Sequence, residues 1–305
     1  MKIFGLLALA ALASSSFASY ELMLVVDQSK DSISRFDAVT GAALGTFGSN
    51  YLIDPQSVAL IHGSSDCLVF DNGNSRAHRF NYSTGEYVSS INLPVVPTIS
   101  TMIEPFSDGT FLVWGFSTST AYRMTVTGGL LNTYAVPAGG GTIAAAGLNS
   151  SGEVYIAWTG TDKIHRYGIS GAVQGVSAAT GALGWGAQMN VKSSYGFFTQ
   201  STATLFKFAP GNPATSIETM NLPAGSSAFG VAFGHGDAVY ACGVDGTGSA
   251  IWVIDGVSKT ITQKFTPAGV STPVHMAIVV APEPGAIFVL GTGLVLIARR
   301  RNRRA

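Results

Sequence analysis

Pro55-Gln56-Ser57-Val58-Ala59-Leu60 and, after a polar gap, Leu68-Val69-Phe70-Asp71-Asn72-Gly73-Asn74-Ser75-Arg76-Ala77-His78-Arg79-Phe80 set short apolar runs between clusters of Asn, Gly and Ser. Runs of this length bounded by turn residues read as β-strands. The landmarks of this stretch recur along the chain. Aligning Phe70-Asp71 with Val26-Asp27, Trp114-Gly115, Trp158-Thr159, Thr199-Gln200 and Cys242-Gly243 gives successive spacings of 44, 44, 44, 41 and 43 residues. A fixed period of this size marks a repeat architecture in which each unit is one supersecondary element.

About nine residues after each first landmark comes a second: Arg35-Phe36, Arg79-Phe80, Arg123-Met124, Arg166-Tyr167, Lys207-Phe208 and, in the last unit, Trp252-Val253. A turn signal follows at Thr40-Gly41, Thr84-Gly85, Thr127-Gly128, Ser170-Gly171, Gly211-Asn212 and Asp255-Gly256. Glycine and asparagine suit the positive φ of hairpin turns. Each unit therefore has the length and pattern of a four-stranded propeller blade. Small, apolar candidates for the strand nearest the axis are Ser57 to Ile61, Ile99 to Ile103, Ile143 to Ala146, Gly186 to Met189, Gly230 to Phe233 and Val274 to Val279. Three strands within about Leu22 to Phe47 open the repeat, and Val274 to Val279 is left over at its end. The expectation is an all-β, six-bladed β-propeller over residues 19–281, closed by a C-terminal inner strand that completes the first blade and removes an open edge.

The second unit resembles an NHL-type repeat, with its small-Val-Ala inner strand, the aspartate after its second strand at Asp71, and an Asn-x-Arg turn at Asn74 to Arg76. The first unit, Val25-Val26-Asp27 to Arg35-Phe36, is a looser match, and the other units lack the aspartate or the turn. The resemblance implies a fold and carries no activity with it.

The chain's balanced charge conceals an acidic domain. Of 17 basic residues, Lys2 and five tail arginines lie outside residues 19–281, leaving 11; of 17 acids only Glu283 lies outside, leaving 16, so the domain carries −5. Nucleic-acid binding, which needs clustered cations, is not expected. Cys67 and Cys242 both fall on second strands, in units two and six with unit one between them, and are expected as two separate buried thiols.

Catalytic motifs are absent: the chain has no His-Glu-x-x-His, no Gly-x-Ser-x-Gly and no Walker loop. Gly139-Gly140-Gly141 precedes a strand and reads as a blade linker, while Asp71-Asn72-Gly73-Asn74 and Asp245-Gly246-Thr247-Gly248 read as polar turns without the later bidentate acid of a calcium loop. No cofactor or metal is expected. One constellation carries an enzyme alternative. His62, Glu104, Asn149, Asn190 and His235 end five inner strands and would converge at one mouth of the channel. Six-bladed sugar-lactone hydrolases hold a metal at such a mouth, although here only Glu104 brings a carboxylate close to the axis, with Asp54 on a neighbouring loop. On the third strands, alternation puts Arg35, Arg79, Arg123, Arg166 and Lys207 on one face and Ser34, His78, Tyr122, His165 and Phe206 on the other, with Trp252 in the cation's place in the last unit. The rings are expected between blades and the cations along the sheet; a sugar-binding aromatic stripe is the alternative.

The two ends speak of destination. Lys2, the apolar run Ile3 to Leu12 and Ser16-Phe17-Ala18 form a signal peptide over residues 1–18, with cleavage by signal peptidase between Ala18 and Ser19. Pro282-Glu283-Pro284, the uncharged segment 285–298 and Arg299, Arg300, Arg301, Arg303 and Arg304 resemble, in that order, the PEP-CTERM sorting signal over residues 282–305. That resemblance implies a Gram-negative bacterium and processing by exosortase, a membrane-embedded transpeptidase. The fourteen residues from Gly285 to Ala298 rise about 21 Å as a helix, short of the ~30 Å hydrocarbon core. They cross as a single transmembrane helix if the arginines snorkel, and the arginines place the tail in the cytoplasm. A plain tail anchor is the alternative. The expected course is export, an inner-membrane-anchored precursor, then cell surface or extracellular matrix, with surface polysaccharide or another matrix protein as partner. The functional expectation is a non-catalytic binding or structural module, against a metal-dependent lactonase-like hydrolase.

Overall fold

The computed structural model describes residues 21–93, 101–116, 118–179, 188–192, 194–211 and 217–280. The expected signal peptide with its Ala18-Ser19 bond and the whole segment 282–305 lie outside them, as do residues 99–100 and 186–187 of two inner-strand candidates and Asn212 of one turn. Among the described residues no helix is long and apolar enough to cross a membrane.

Four strands build each of six sheets. Blade 1 uses Glu21–Asp27 (β1), Ser32–Asp37 (β2) and Ala43–Phe47 (β3), and blade 2 uses Pro55–Leu60 (β4), Asp66–Asp71 (β5), Arg76–Asn81 (β6) and Tyr87–Asn92 (β7). Blade 3 follows with Thr101–Pro105 (β8), Phe111–Gly115 (β9), Thr120–Met124 (β10) and Leu130–Ala135 (β11), and blade 4 with Ile143–Leu148 (β12), Val154–Trp158 (β13), Lys163–Tyr167 (β14) and Val173–Ala179 (β15). Blade 5 comprises Met189–Val191 (β16), Gly196–Thr199 (β17), Thr204–Phe208 (β18) and Ile217–Asn221 (β19). Blade 6 comprises Ser227–Phe233 (β20), Ala238–Asp245 (β21), Gly248–Asp255 (β22) and Ile261–Phe265 (β23), and the last strand is Pro273–Val280 (β24). The order β24-β1-β2-β3 in blade 1 realises the expected closure: the final strand pairs antiparallel with the first, Glu21 opposite Val280 and Val26 opposite His275.

The core is divided into wedges, one between each pair of successive blades. Alternation along β1 explains why: Leu22, Leu24 and Val26 pack with Val58, Val69 and Phe80 of blade 2, while Met23 and Val25 pack with Tyr240, Ile251 and Val253 of blade 6. Both faces of an interior strand are thus buried, and each fully buried Val or Leu contributes roughly 1.5–3 kcal/mol. Cys67 lies in the wedge between blades 1 and 2 and Cys242 in that between blades 6 and 1, as free thiols. Burial pushes the Cys67 thiol far up and the Cys242 thiol up to about 12.

Polar landmarks of the sequence fasten blades to linkers. The Asp71 carboxylate accepts the backbone N–H of Ile53 and Asp54, at 3.0 and 2.8 Å, in the linker entering β4. Asp27 does the same in blade 1, accepting from Ser271 and Thr272 at 2.8 and 3.0 Å ahead of β24. In blade 4, where threonine replaces the aspartate, the Thr159 hydroxyl accepts the Thr142 N–H at 3.1 Å. The third-strand cations join one blade to the next: Arg35 donates to the Ser83 carbonyl, Arg166 to that of Gly211 and Lys207 to that of Val257. Arg79 and Arg123 instead pair with Asp66 and Asp108 of their own blades.

The last blade departs from the expected register by one residue. Trp252 packs against blade 5 with Phe197 and Leu205, while Val253 faces blade 1. Trp252 therefore stands in the ring position, and Val253 takes the cation's place. The turn shifts likewise. Lys259, at φ 61°, donates its N–H to the Asp255 carbonyl as Gly41 does to Asp37 and Gly85 to Asn81, so Lys259 and not Gly256 is the left-handed turn residue.

Candidate site at the propeller axis

The five expected mouth residues do not assemble. His62 and His235 are exposed in separate hairpins, between β4 and β5 and between β20 and β21. Asn149 is buried in its own hairpin, where its carbonyl accepts the N–H of Ser151 and Glu153 at 3.0 Å each and its amide donates to Glu153 Oε2 at 2.8 Å. Those bonds consume its polar atoms in a local turn. Asn190 is half-buried in the middle of β16. No hydrogen bond or ion pair described here joins any two of the five. Asp54 serves its own neighbourhood, accepting the side-chain amides of Gln28, Gln56 and Asn72.

Glu104 alone turns inward, and it meets residues that the sequence pattern did not mark. Its Oε1 accepts from Gln188 Nε2 at 3.0 Å and lies 3.7 Å from His275 Nε2. Gln188 is the hub. Its amide also donates to the Met276 carbonyl at 3.0 Å, while its own oxygen accepts the N–H of Val231 at 3.1 Å and of Met276 at 3.3 Å. His275 Nδ1 accepts the Val58 N–H at 3.4 Å, which leaves Nε2 as the ring nitrogen facing Glu104. Ser57 extends the network, bonded to the Thr101 carbonyl at 3.3 Å and accepting the Ile103 N–H at 3.1 Å.

Blade numbers show what this arrangement does. Gln188 leads into blade 5, Val231 belongs to blade 6, Met276 and His275 to blade 1, and Glu104 to blade 3. Blades 3 and 6 are opposite each other in a six-bladed ring, so a glutamine bonded to both lies across the axis. Glu104, Gln188 and His275 are buried, with His275 at 0% exposure. On the inner strand of blade 4, Ala144, Ala145 and Ala146 are fully buried in the wedges toward blades 3 and 5. Buried polar networks of this kind favour a single packing, because a member left unpaired in low dielectric is costly; here Gln188 is bonded through both its amide atoms, while His275 Nε2, 3.7 Å from Glu104, makes no hydrogen bond. Among the described residues no group of three or more His, Cys, Asp and Glu side chains is placed to share a metal ion.

Gln188 was missed because it sits inside the expected small, apolar span Gly186 to Met189, although the observed strand begins one residue later, and His275 because it sits inside the apolar run Val274 to Val279. The available signal was the polarity itself. A histidine and a glutamine in strands bound for the axis need buried partners.

Ring positions on the third strands are used in packing. Phe206 stacks on Phe198 at 4.8 Å, and His78 bonds Ser90 at 2.9 Å and Asn74 at 3.1 Å. Burial lowers the proton affinity of His78, partly opposed by the Asp71 carboxylate 3.7 Å away. Burial, with Lys163 second, does the same to His165, neither of whose ring nitrogens has a hydrogen-bond partner. Lys192 lies over the Phe233 ring at 4.8 Å with its ammonium on the Gly236 carbonyl.

No family model and no curated protein matches the chain. Solved structures do. A nidogen/laminin complex aligns with a chain at TM-score 0.68 and 14% identity, covering 85% of this chain and 98% of that one. A Bacteroides caccae protein of unknown function aligns at TM-score 0.60 and 13% identity, over 86% and 99%. Selenomethionine-substituted virginiamycin B lyase from Staphylococcus aureus aligns at 0.56 and 16%, over 72% and 73%. At these identities the likeness establishes the six-bladed propeller fold, and function has to be argued from sites.

Proposed function

We propose that the chain is an exported propeller, released from an inner-membrane precursor by exosortase at Pro282-Glu283-Pro284, that acts at the cell surface or in the extracellular matrix as a non-catalytic binding or structural module. The observation that carries the non-catalytic reading is the axis. Glu104 is buried and bonded to Gln188, His62 and His235 are exposed in separate hairpins, Asn149 is spent in its own turn, and Asn190 lies half-buried within β16. A lactonase-like hydrolase would need those groups to converge on one open position. The likeness to a chain of a nidogen/laminin complex agrees with a binding role without assigning a ligand.

The destination rests on the three-part resemblance at residues 282–305 together with the signal peptide at 1–18. The test is the intact mass of protein recovered from surface and medium fractions of cells with and without exosortase. Loss of the residues beyond about Pro284 only when the enzyme is present is the expected result. A full tail in both strains would leave a simple membrane anchor and end the sorting proposal.

A further inference from the structure

The outer strands of the blades form the rim of the ring, and each is the end strand of its sheet. End strands present unpaired N–H and C=O groups, which soluble proteins guard with charges, proline or cover. In blades 1 to 4 the charged and proline guards are missing, and what remains is a β-bulge where each end strand meets its neighbour. The sequences Ala-Leu-Gly-Thr-Phe (β3), Tyr-Val-Ser-Ser-Ile-Asn (β7), Leu-Leu-Asn-Thr-Tyr-Ala (β11) and Val-Gln-Gly-Val-Ser-Ala-Ala (β15) contain no Lys, Arg, Asp, Glu or Pro. Their exposed side chains are uncharged, and several are apolar: Val88 is 47% exposed, Leu131 51% and Val173 53%, beside the polar Thr46, Ser90, Asn92, Thr133 and Gln174. The rims of blades 5 and 6 differ. There Glu218 is paired with Lys259, and Lys264 with Asp245.

From this asymmetry we infer that the uncharged rim of blades 1 to 4 is a self-association surface, on which a second copy of the same chain pairs edge strand to edge strand. Two arguments select a second copy as occupant. The first is charge. Each domain carries −5, so two copies repel over most of their surfaces and approach with least penalty where the edges are neutral. An antiparallel edge is moreover its own complement under a two-fold axis, the commonest symmetry of homo-oligomers. The second is attachment. β24 is an inner strand, and its last residue Val280 pairs with Glu21 at the chain's other described end, so the described chain ends on an inner strand and not at the rim. Copies tethered to one membrane through the proposed anchor face it with their rims turned sideways toward one another. This two-dimensional form rests on the proposed anchoring, whereas the pairing itself does not.

The test places single cysteines in the full chain at Val88 or Leu131, with Ser150 in the exposed β12–β13 hairpin as control. The native Cys67 and Cys242 are fully buried and stay silent. Purified full-length protein in detergent is treated with a short bismaleimide, and its mass is followed by sedimentation. The expected result is a covalent dimer from Val88→Cys and Leu131→Cys, background levels from Ser150→Cys, and loss of the dimer when Val88, Leu131 and Val173 are changed together to lysine. Rim cysteines that cross-link no better than the Ser150 control, or a monomer at every concentration, would overturn the proposal. So would a rim adduct in cells of a mass that is not twice the chain. Labelling of Ser150→Cys on intact cells with an impermeant maleimide reads surface display independently, so failed export and failed pairing are told apart.

Discussion

Asp71 accepts three backbone N–H groups, from Ile53, Asp54 and Gly73, while wholly buried. Removing it takes the shared acceptor from all three donors at once, in a linker that is itself only partly buried. Asp71→Ala should therefore cost about 3 kcal/mol in urea unfolding, and Asp71→Asn less, because the amide oxygen still accepts. A second residue-scale effect is pH. His165 is buried with no hydrogen-bond partner at either ring nitrogen, and its proton affinity is lowered by burial first and by Lys163 second. The unfolded chain then binds the proton more readily than the folded one. Stability is full while the ring is neutral in both states and falls as pH drops below the ordinary value of 6.5 toward the lower folded value. Melting temperature should accordingly fall between pH of about 7.5 and 5.5, and less steeply in His165→Phe. An equal slope in both proteins would remove His165 from the account. Lys259 adds a backbone test. Left-handed geometry costs a side chain about 1–2 kcal/mol, set against a surface ion pair with Glu218 worth under about 1 kcal/mol. Lys259→Gly should leave stability unchanged or raise it by up to about 1 kcal/mol.

Among the elements, the C-terminal hairpin turn of each blade does more than reverse the chain. A Cβ on Gly85, at φ 80°, would sit 2.7 Å from Phe47 Cβ in the outer strand of blade 1, and one on Gly128, at φ 87°, 2.6 Å from the Asn92 carbonyl of blade 2. The glycine is thus required twice, by its backbone and by the neighbouring blade. Gly128→Ala should cost about 1–3 kcal/mol, since backbone cannot yield as a side chain does; a neutral result would mean that the blades do not meet there. The repeat was legible at this scale because each blade needs the same turn and the same buried strands, so Thr40-Gly41, Thr84-Gly85 and Thr127-Gly128 recur at spacings of 44 and 43 residues. Legibility failed where a different residue met the same need. Lys259 occupies the glycine position of blade 6, and alignment on the nearer Gly256 slid Trp252 by one place, which in a strand exchanges the two faces. The axial network was illegible for another reason. Its members come from five blades and share no spacing; only the polarity of Gln188 and His275 in inner-strand surroundings betrayed them.

For the whole molecule, two features hold the ring shut: the glutamine across its axis and the strand that joins its ends. Gln188→Leu keeps the volume roughly but leaves the N–H of Val231 and Met276 without their side-chain acceptor and Glu104 without its donor. A loss of about 3 kcal/mol or more is expected in denaturant midpoint, and an unchanged midpoint would mean that the network is incidental. The closing strand is the larger matter. β24 covers all seven residues of β1, and its Met276 and Ile278 belong to the wedge between blades 6 and 1. Its last residue is Val280, two positions before Pro282. A cut at the proposed sorting motif therefore leaves the strand whole, whereas a chain ended at Thr272 loses it and opens both an edge and a core face. Because loss of the strand exposes backbone and apolar groups together, its effect should exceed that of any single substitution. A chain ending at Pro284 should melt at the same temperature as the longer one; a chain ending at Thr272 should show no cooperative transition, and excess synthetic peptide of residues 273–280 should restore one. Cooperative melting of the Thr272 truncation without peptide would show that the ring closes on side-chain packing alone.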